Sequence, residues 1–347
     1  MNGPGLCYTS LPRICADDDC PMFRRTPGTM FFAILFLLFG FGAKAEARIT
    51  RVAIPAPSIS QIAFYAGIDR GYYQEEGLEV QLILMRAPIA NVAAIAGEVQ
   101  FSTVPTGALG AALKGAPLRI LSATFQRPLH SLMVKANIQS FTELKGKKVG
   151  TSGIGTADDV LTEQLFARHG LVLGRDSPRI NVGDSSSRLT ALVSGVVDAA
   201  PLVLPWNLRA MEAGFREIVR FTTQDLVLFV GSIVTHEALL RSDPATVEKF
   251  VRGTTKGLLY ARTNRAGTIS ILSRNIKVSD ELSAKMYDIA LPAMTRNGVV
   301  APDVQRRFLE LMLKLQGGKE SPPLETLFDF SWAQRANTEL EARGWKP

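Results

Sequence analysis

The sequence predicts an α/β protein built from doubly wound, mostly parallel sheets in two lobes. Three observations carry this. Residues 48–84 read as one complete strand–helix–strand unit, the signature of a right-handed parallel crossover. The same strand–loop–helix order then recurs along 99–221. The chain has 347 residues, 46% hydrophobic and 20% charged, which is globular composition and enough length for two lobes.

In the first unit, residues 51–55 form a short β-branched run that Pro55, Pro57 and Ser58 end. Residues 59–71 follow a helical period, with Ile62, Ala63, Ala66 and Gly67 near one face and Gly71 closing the helix. A second strand occupies 78–84. In open α/β sheets ligands sit at the carboxyl ends of strands, which points to the loop 55–61. A helix at 89–97, a strand at 99–104, a loop at 105–107, an Ala-rich helix at 108–114 and a strand at 118–124 come next. Thr106 and Gly107 fall at a helix N-terminus, where free N–H groups can hold an acceptor or anion. A plain helix cap is an equally open reading.

Residues 131–135 read as a strand leaving the first lobe. Phe141 to Gly150 give a short helix, a Gly turn and a strand. Thr151-Ser152-Gly153-Ile154-Gly155-Thr156 links that strand to a helix at 157–169. The Gly and Ser/Thr residues permit close backbone approach to a ligand, or simply cap the helix. A strand at 179–183 is followed by the polar loop 184–187, an N-cap for a helix at 188–194. A strand at 196–203 leads to Pro205-Trp206, which opens a helix at 207–213. Trp206 is placed either to pack on a ligand or to pack under its helix. A strand at 218–221 ends the second lobe, and the apolar run 226–235 reads as the returning strand. From Glu237 the pattern is mostly helical: Asp243 caps a helix opened by Pro244, further amphipathic stretches cover 246–262, 279–293 and 302–314, and after a loop at 317–323 a last helix covers 332–343.

The front of the chain reads as a leader, residues 1–45. Arg24 and Arg25 precede the apolar run 30–42, and Ala43-Lys44-Ala45 supplies a small-residue cleavage site, the order of a secretory signal. The run is too short to span a bilayer, which needs about 20 residues. Met22 reads as the start. Cys7, Cys15 and Cys20 all lie before the signal, so the predicted mature chain has no disulfide, thiol nucleophile or lipid-attachment cysteine.

Formal net charge is +7, without the clustered Lys/Arg and interleaved aromatics that nucleic-acid binding wants. Neither nucleotide-binding glycine motif is present. His130, His169 and His236 lack metal-ligand spacing, and no zinc-protease or serine-hydrolase motif occurs. Asp158-Asp159 lies in the first turn of a helix, where acids are expected anyway. The expectation is therefore no catalytic residue, no cofactor and no metal. Arg127, in the loop before the first crossing, suits a carboxylate or sulfonate bidentately if it faces the cleft; a solvated or lobe-bridging arginine is the other reading.

The phrase F-Y-A-G-I-D-R-G-Y-Y-Q-E-E-G-L-E-V at 64–80 resembles the start of periplasmic solute-binding proteins of ABC importers, in the nitrate/sulfonate/taurine and thiamine-pyrimidine-precursor group. F-T-E-L-K-G-K-K-V-G, A-L-V-S-G-V-V-D-A-A followed by P-W, and F-D-F-S before the last helix are similar to the same family. The resemblance implies a type II periplasmic-binding-protein fold: two lobes joined by two hinge crossings, with 46–130 and 232–347 in lobe one and 131–231 in lobe two. It also implies a small-molecule ligand such as a sulfonate, nitrate or pyrimidine, a monomer in the periplasm, and an ABC permease with its ATPase as partners. An enzyme on the same fold, acting on a thiamine precursor or small carboxylate, and a ligand-sensing ectodomain are the alternatives. From loop position and family likeness together, the expected ligand contacts are Ser58, Gln61, Thr106, Gly107 and Arg127 in lobe one, and Ser152, Gly155, Thr156 and Trp206 in lobe two.

Overall fold

A computed structural model describes residues 48–317 and 321–347. The leader, with its signal and three cysteines, and residues 318–320 of the loop at 317–323 lie outside the described residues.

Among the described residues, ten strands form two five-stranded mixed sheets. The first holds β1 (Arg48–Ile54), β2 (Leu78–Leu84), β3 (Phe101–Ser102), β4 (Leu118–Phe125) and β10 (Val230–His236), in the order β2-β1-β3-β10-β4. The second holds β5 (His130–Val134), β6 (Val149–Thr151), β7 (Arg179–Asn181), β8 (Ala199–Val203) and β9 (Arg216–Arg220), in the order β7-β6-β8-β5-β9. β1 is parallel to β2 and β3, and β6 to β7 and β8. One strand in each sheet is reversed: β10 between β3 and β4, and β5 between β8 and β9. Those two are the strands that arrive from the other sheet. The chain crosses after Phe125 to enter β5 and crosses back after Arg220 to enter β10. Each sheet therefore has the same order and the same single reversal. The shared direction of the other strands aims all their carboxyl ends at one gap.

The aromatic-acidic phrase at 72–76 is explained by the long helix Pro244–Thr263. Tyr73 is buried, stacks on Phe250 at 5.3 Å and shares a 2.8 Å hydrogen bond with Thr254 Oγ1. Its ring is held between two glycines: a Cβ at Gly67 or at Gly253 would each stand 2.5 Å from ring carbons, so neither position takes a side chain. Glu76 accepts from Arg252 at 2.7 Å and from Lys256 at 2.9 Å. The phrase that carries the resemblance in sequence is here a clamp between the first crossover and a helix some 170 residues later.

Several boundaries differ from those the sequence predicts. The helix expected at 108–114 is Pro105–Ala112, with Pro105 in its first turn where a missing N–H costs nothing. The strand expected at 99–104 shrinks to Phe101–Ser102, because Val104 N–H donates to the Ser102 hydroxyl at 3.2 Å and turns the chain away. The apolar run at 226–235 becomes strand only from Val230; Leu226 to Phe229 are buried without strand pairing, Phe229 lying 4.8 Å from Phe308. The helix expected at 188–194 begins at Ser185, capped by Asp184, which accepts from Ser187 N–H at 2.8 Å. The first crossing strand begins at His130 rather than Ser131.

Candidate functional site

A cavity of about 430 Å³ opens where the strand ends of the two sheets face each other. That is within the range of small-molecule pockets. From the first sheet come the loops after β1 (Ser58, Gln61), β2 (Leu84, Arg86) and β3 (Thr103, Thr106), with Phe229 and Gly231 at the start of β10. Gly231 has φ +61, and a Cβ there would stand 2.3 Å from the Ser60 carbonyl oxygen, so the strand can enter beside the first loop only as glycine. From the second sheet come His130 opening β5, the loop after β6 (Ser152, Thr156, Asp158), the loop after β7 (Asp184, Ser185, Arg188) and Val203 ending β8. Both reversed strands contribute their first residues and the parallel strands their last, as the topology requires.

The two walls differ chemically. The first-sheet wall carries neutral polar groups without partners: Gln61 Oε1, Thr103 Oγ1 and Thr106 Oγ1 are buried and make no hydrogen bond. Buried polar atoms are rarely left so, because each orphan costs about 1–3 kcal/mol. The second-sheet wall carries a closed ion pair. Arg188 lies 3.2 Å from Asp158, and its other donors reach Pro201 O at 2.9 Å, Gly183 O at 2.6 Å and Ser185 Oγ at 2.9 Å. Asp158 accepts from Ser152 N–H at 2.8 Å, from Thr156 Oγ1 at 3.1 Å and from the Ser152 hydroxyl. Burial alone would raise the Asp158 pKa, but the Arg188 charge and the Ser152 donors outweigh it and leave it lowered. Burial lowers that of Arg188, with Asp158 and Asp184 opposing.

His130 stands beside this pair. It is 8% exposed, and its Nδ1 has no partner. Burial first, and the Arg188 charge with it, push its pKa down to about 4 against the pull of Asp158, so the imidazole is neutral near neutral pH.

Of the residues expected from sequence, the structure brings together Ser58, Gln61, Thr106, Ser152 and Thr156 on the cavity wall. The other four do not line it. Arg127 is exposed near Asp225, outside the cleft, because the crossing loop turns its side chain outward while Leu129 is buried. Gly107 is inside the first turn of its helix, packed against the Asn91 amide that holds Val104 O at 3.0 Å. Gly155 turns with φ +77 and donates its N–H to Asp159 at 3.0 Å. Trp206 is half-buried against the second-sheet core with Arg209 over its ring at 4.9 Å. Sequence reasoning missed Arg188, His130, Thr103 and Phe229, and set Asp158 aside as a helix-start acid. One signal was available: an arginine where a helix was expected to begin runs against the helix dipole and wants another explanation.

Comparison with known proteins places the chain. The family model described as "NMT1/THI5 like" matches residues 58–266. The riboflavin-binding protein RibY of Chloroflexus aurantiacus is 27% identical over 234 residues, which is 62% of this chain and 63% of that protein, so the match spans under two thirds of the relative. Among solved structures, the alkanesulfonate-binding protein SsuA of Xanthomonas axonopodis pv. citri bound to MOPS aligns with a TM-score of 0.69 at 14% identity, covering 82% of this chain and 98% of that one. The desulfurization enzyme DSZB shares the fold with a TM-score of 0.61 at 15% identity, covering 84% and 99%. At these identities the structures speak for the fold alone, a two-lobed binding-protein architecture that serves both capture and catalysis. With the family model covering more than half of its residues, the chain belongs to the NMT1/THI5-like family.

Proposed function

We propose that this protein is the extracytoplasmic solute-binding component of an ABC importer, a monomer that captures a small uncharged heterocycle between two lobes and delivers it to a permease and its ATPase. The reading takes 46–130 and 232–347 as one lobe and 131–231 as the other; the sheets differ from that division at His130, which opens β5, and at Val230 and Gly231, which open β10. The observation that carries the ligand class is the charge balance of the cavity. Its buried charges, Asp158 and Arg188, are spent on each other, while Gln61, Thr103, Thr106 and His130 wait for hydrogen-bond partners. A sulfonate or nitrate there would find the one unpaired cation of the described lining residues, Arg86, exposed at the rim; in the interior, where Arg188 is held by Asp158, it would lose its hydration without a free charge to replace it. A neutral ring with donors and acceptors on its edge would lie against Val203 and Leu84, and the side-chain rotations that accompany its entry would turn the buried orphans behind the wall toward it. The riboflavin-binding relative supports this class, since a flavin is such a ring.

Capture is favoured over turnover by the same geometry. A nucleophile needs a base within hydrogen-bond reach: His130 Nδ1 touches no hydroxyl, and the carboxylate that the Ser152 and Thr156 hydroxyls reach, Asp158, is held by Arg188 with its pKa lowered, which makes it a weak base. Hinge closure of one lobe on the other would then bury the ligand.

Titration calorimetry of residues 46–347 with riboflavin, a hydroxymethylpyrimidine, ethanesulfonate and nitrate tests the reading. Saturating heterocycle at 100 times its Kd should stabilise the fold by about 2.7 kcal/mol. Tighter binding of either anion near neutral pH would overturn the ligand class, and turnover of the heterocycle would overturn the binding role.

A further inference from the structure

We propose that His130 sets the charge class of the ligand: as the neutral imidazole it leaves the cavity an uncharged-molecule site, and on taking a proton it turns the same cavity into an anion site. The inference rests on the cavity assigned above but concerns one residue of it.

The geometry leaves His130 this role alone. Among the described lining residues that titrate, Asp158 and Arg188 are locked together with side-chain exposures of 6% and 3%. Asp184 is a half-buried helix cap held by Ser186 and Ser187, and Arg86 is exposed at the rim. Neither can change the charge of the interior. His130 is buried beside the ion pair, yet its Nδ1 has no partner.

The elements packed on it add no further charge. Asp158 faces it from helix Ala157–Arg168 and Arg188 from helix Ser185–Val193. Phe221 lies beside the ring at 6.3 Å, and Val203 is its partner on β8. On β9 the nearest charge is Arg220, opposite Ser131 and paired with Glu217 at 3.0 Å. The local sum is therefore zero when His130 is neutral and +1 when it is protonated.

A neutral imidazole offers one donor and one acceptor, which a heterocycle edge can meet in either tautomer. An anion held in the interior, away from Arg86 at the rim, draws a proton from solvent onto His130: burial first and Arg188 second keep the empty-site imidazole neutral despite Asp158, and the added negative charge offsets them. Binding of an anion is then linked to proton uptake. Its affinity climbs by up to about tenfold for each pH unit below the bound-state pKa and above the free-state value near 4. Binding of a neutral ring carries no such linkage in that range.

The decisive experiment measures ethanesulfonate and riboflavin affinity of the wild-type protein at successive pH values between neutral and about 4.5, with calorimetry in buffers of different ionisation enthalpy to count protons. The expected result is sulfonate affinity that rises steeply as pH falls, with uptake approaching one proton, and riboflavin affinity that stays flat. His130→Gln should flatten the sulfonate slope and remove the proton uptake. A sulfonate affinity that is flat or absent across the range in the wild-type protein overturns the proposal, as does an unchanged slope in His130→Gln. The wild-type slope and proton count decide even if the variant folds poorly. Failure of riboflavin and pyrimidine to bind near neutral pH would instead count against the proposed function, and the sulfonate slope would still decide the role of His130.

Discussion

Two buried charge clusters, one beside each sheet, are put to opposite use. On the first-sheet side Arg252 and Lys256 meet Glu76, with Glu75, Glu248 and Glu339 completing the ring. Both cations have carboxylates, and none of these residues lines the cavity. On the second-sheet side Asp158 and Arg188 are as closely matched, but His130 beside them is left with a bare nitrogen, and all three face the cavity. A completed network fixes packing and has nothing left to offer a ligand. An incomplete one costs stability, because a buried polar group without a partner keeps its full desolvation penalty. The difference teaches where to look for function in this fold: at the cluster that is one partner short, rather than at the one with more charges.

The sharpest way to break that comparison is to remove one charge from each cluster. Asp158→Ala strands Arg188 in the interior, and Arg252→Ala strips Glu76 of its closest partner. Each should cost about 3 kcal/mol in urea unfolding, the usual penalty for opening a buried pair, with Arg252→Ala the milder because Lys256 still holds Glu76. Only Asp158→Ala should also weaken capture of the heterocycle, by about tenfold or more, since it alone disturbs the cavity wall. Equal loss of binding in Arg252→Ala would dissolve the distinction between the two clusters.

The pH dependence of stability sharpens the comparison further, because the second-sheet cluster carries two groups that pull in opposite senses. The unfolded chain protonates His130 near 6.5 and the folded chain not until about 4. Stability from this group therefore falls as pH drops through that window, by about 3 kcal/mol. Asp159, one residue beyond Asp158, is buried with its Oδ1 3.2 Å from Arg179 Nε; burial raises its pKa from 3.8 to about 6, against the Gly155 N–H and that Arg179 charge. Its folded form holds the proton longer than the unfolded one, so its contribution is present below 3.8 and is lost as pH rises through 6, again by about 3 kcal/mol. The two slopes nearly cancel between pH 4 and 6. In His130→Gln the urea midpoint should fall as pH rises through this range, and in Asp159→Asn it should climb. Two variants with the same slope would show that neither group titrates as its surroundings imply.

What the sequence made legible follows from range. Period and punctuation are local, so β2 matches the expected 78–84 and the helix after β6 starts at Ala157 as expected. Loop position at a strand end is nearly local too, and it led to Ser58, Gln61, Thr106, Ser152 and Thr156. What failed depends on the partner. Arg188 and His130 matter because residues 30 and 28 positions away from Asp158 return to it, which no window shows. Arg127 looked suited to an anion because arginine often is, but its direction is set by the turn of the crossing loop. The run at 226–229 carries the apolar signal of a strand, yet Phe229 is claimed by Phe308, Phe328 and Phe330 before it can pair.

The smallest expected effect tests the first-sheet wall, where incompleteness involves no charge at all. Thr106 is fully buried in the first turn of its helix, and its hydroxyl has no partner. Thr106→Val keeps the shape and removes the orphan. Relief of an unsatisfied hydroxyl should make the ligand-free protein more stable by about 1 kcal/mol, read as a higher Tm. The same change should weaken the heterocycle by about fivefold, since the hydroxyl that costs stability in the empty cavity is repaid by the ligand. Opposite signs in the two measurements are the mark of a group kept for binding. A variant that loses stability and leaves affinity untouched would mean that Thr106 is held by its fold and that the first-sheet wall, like the Arg252 cluster, is only structure.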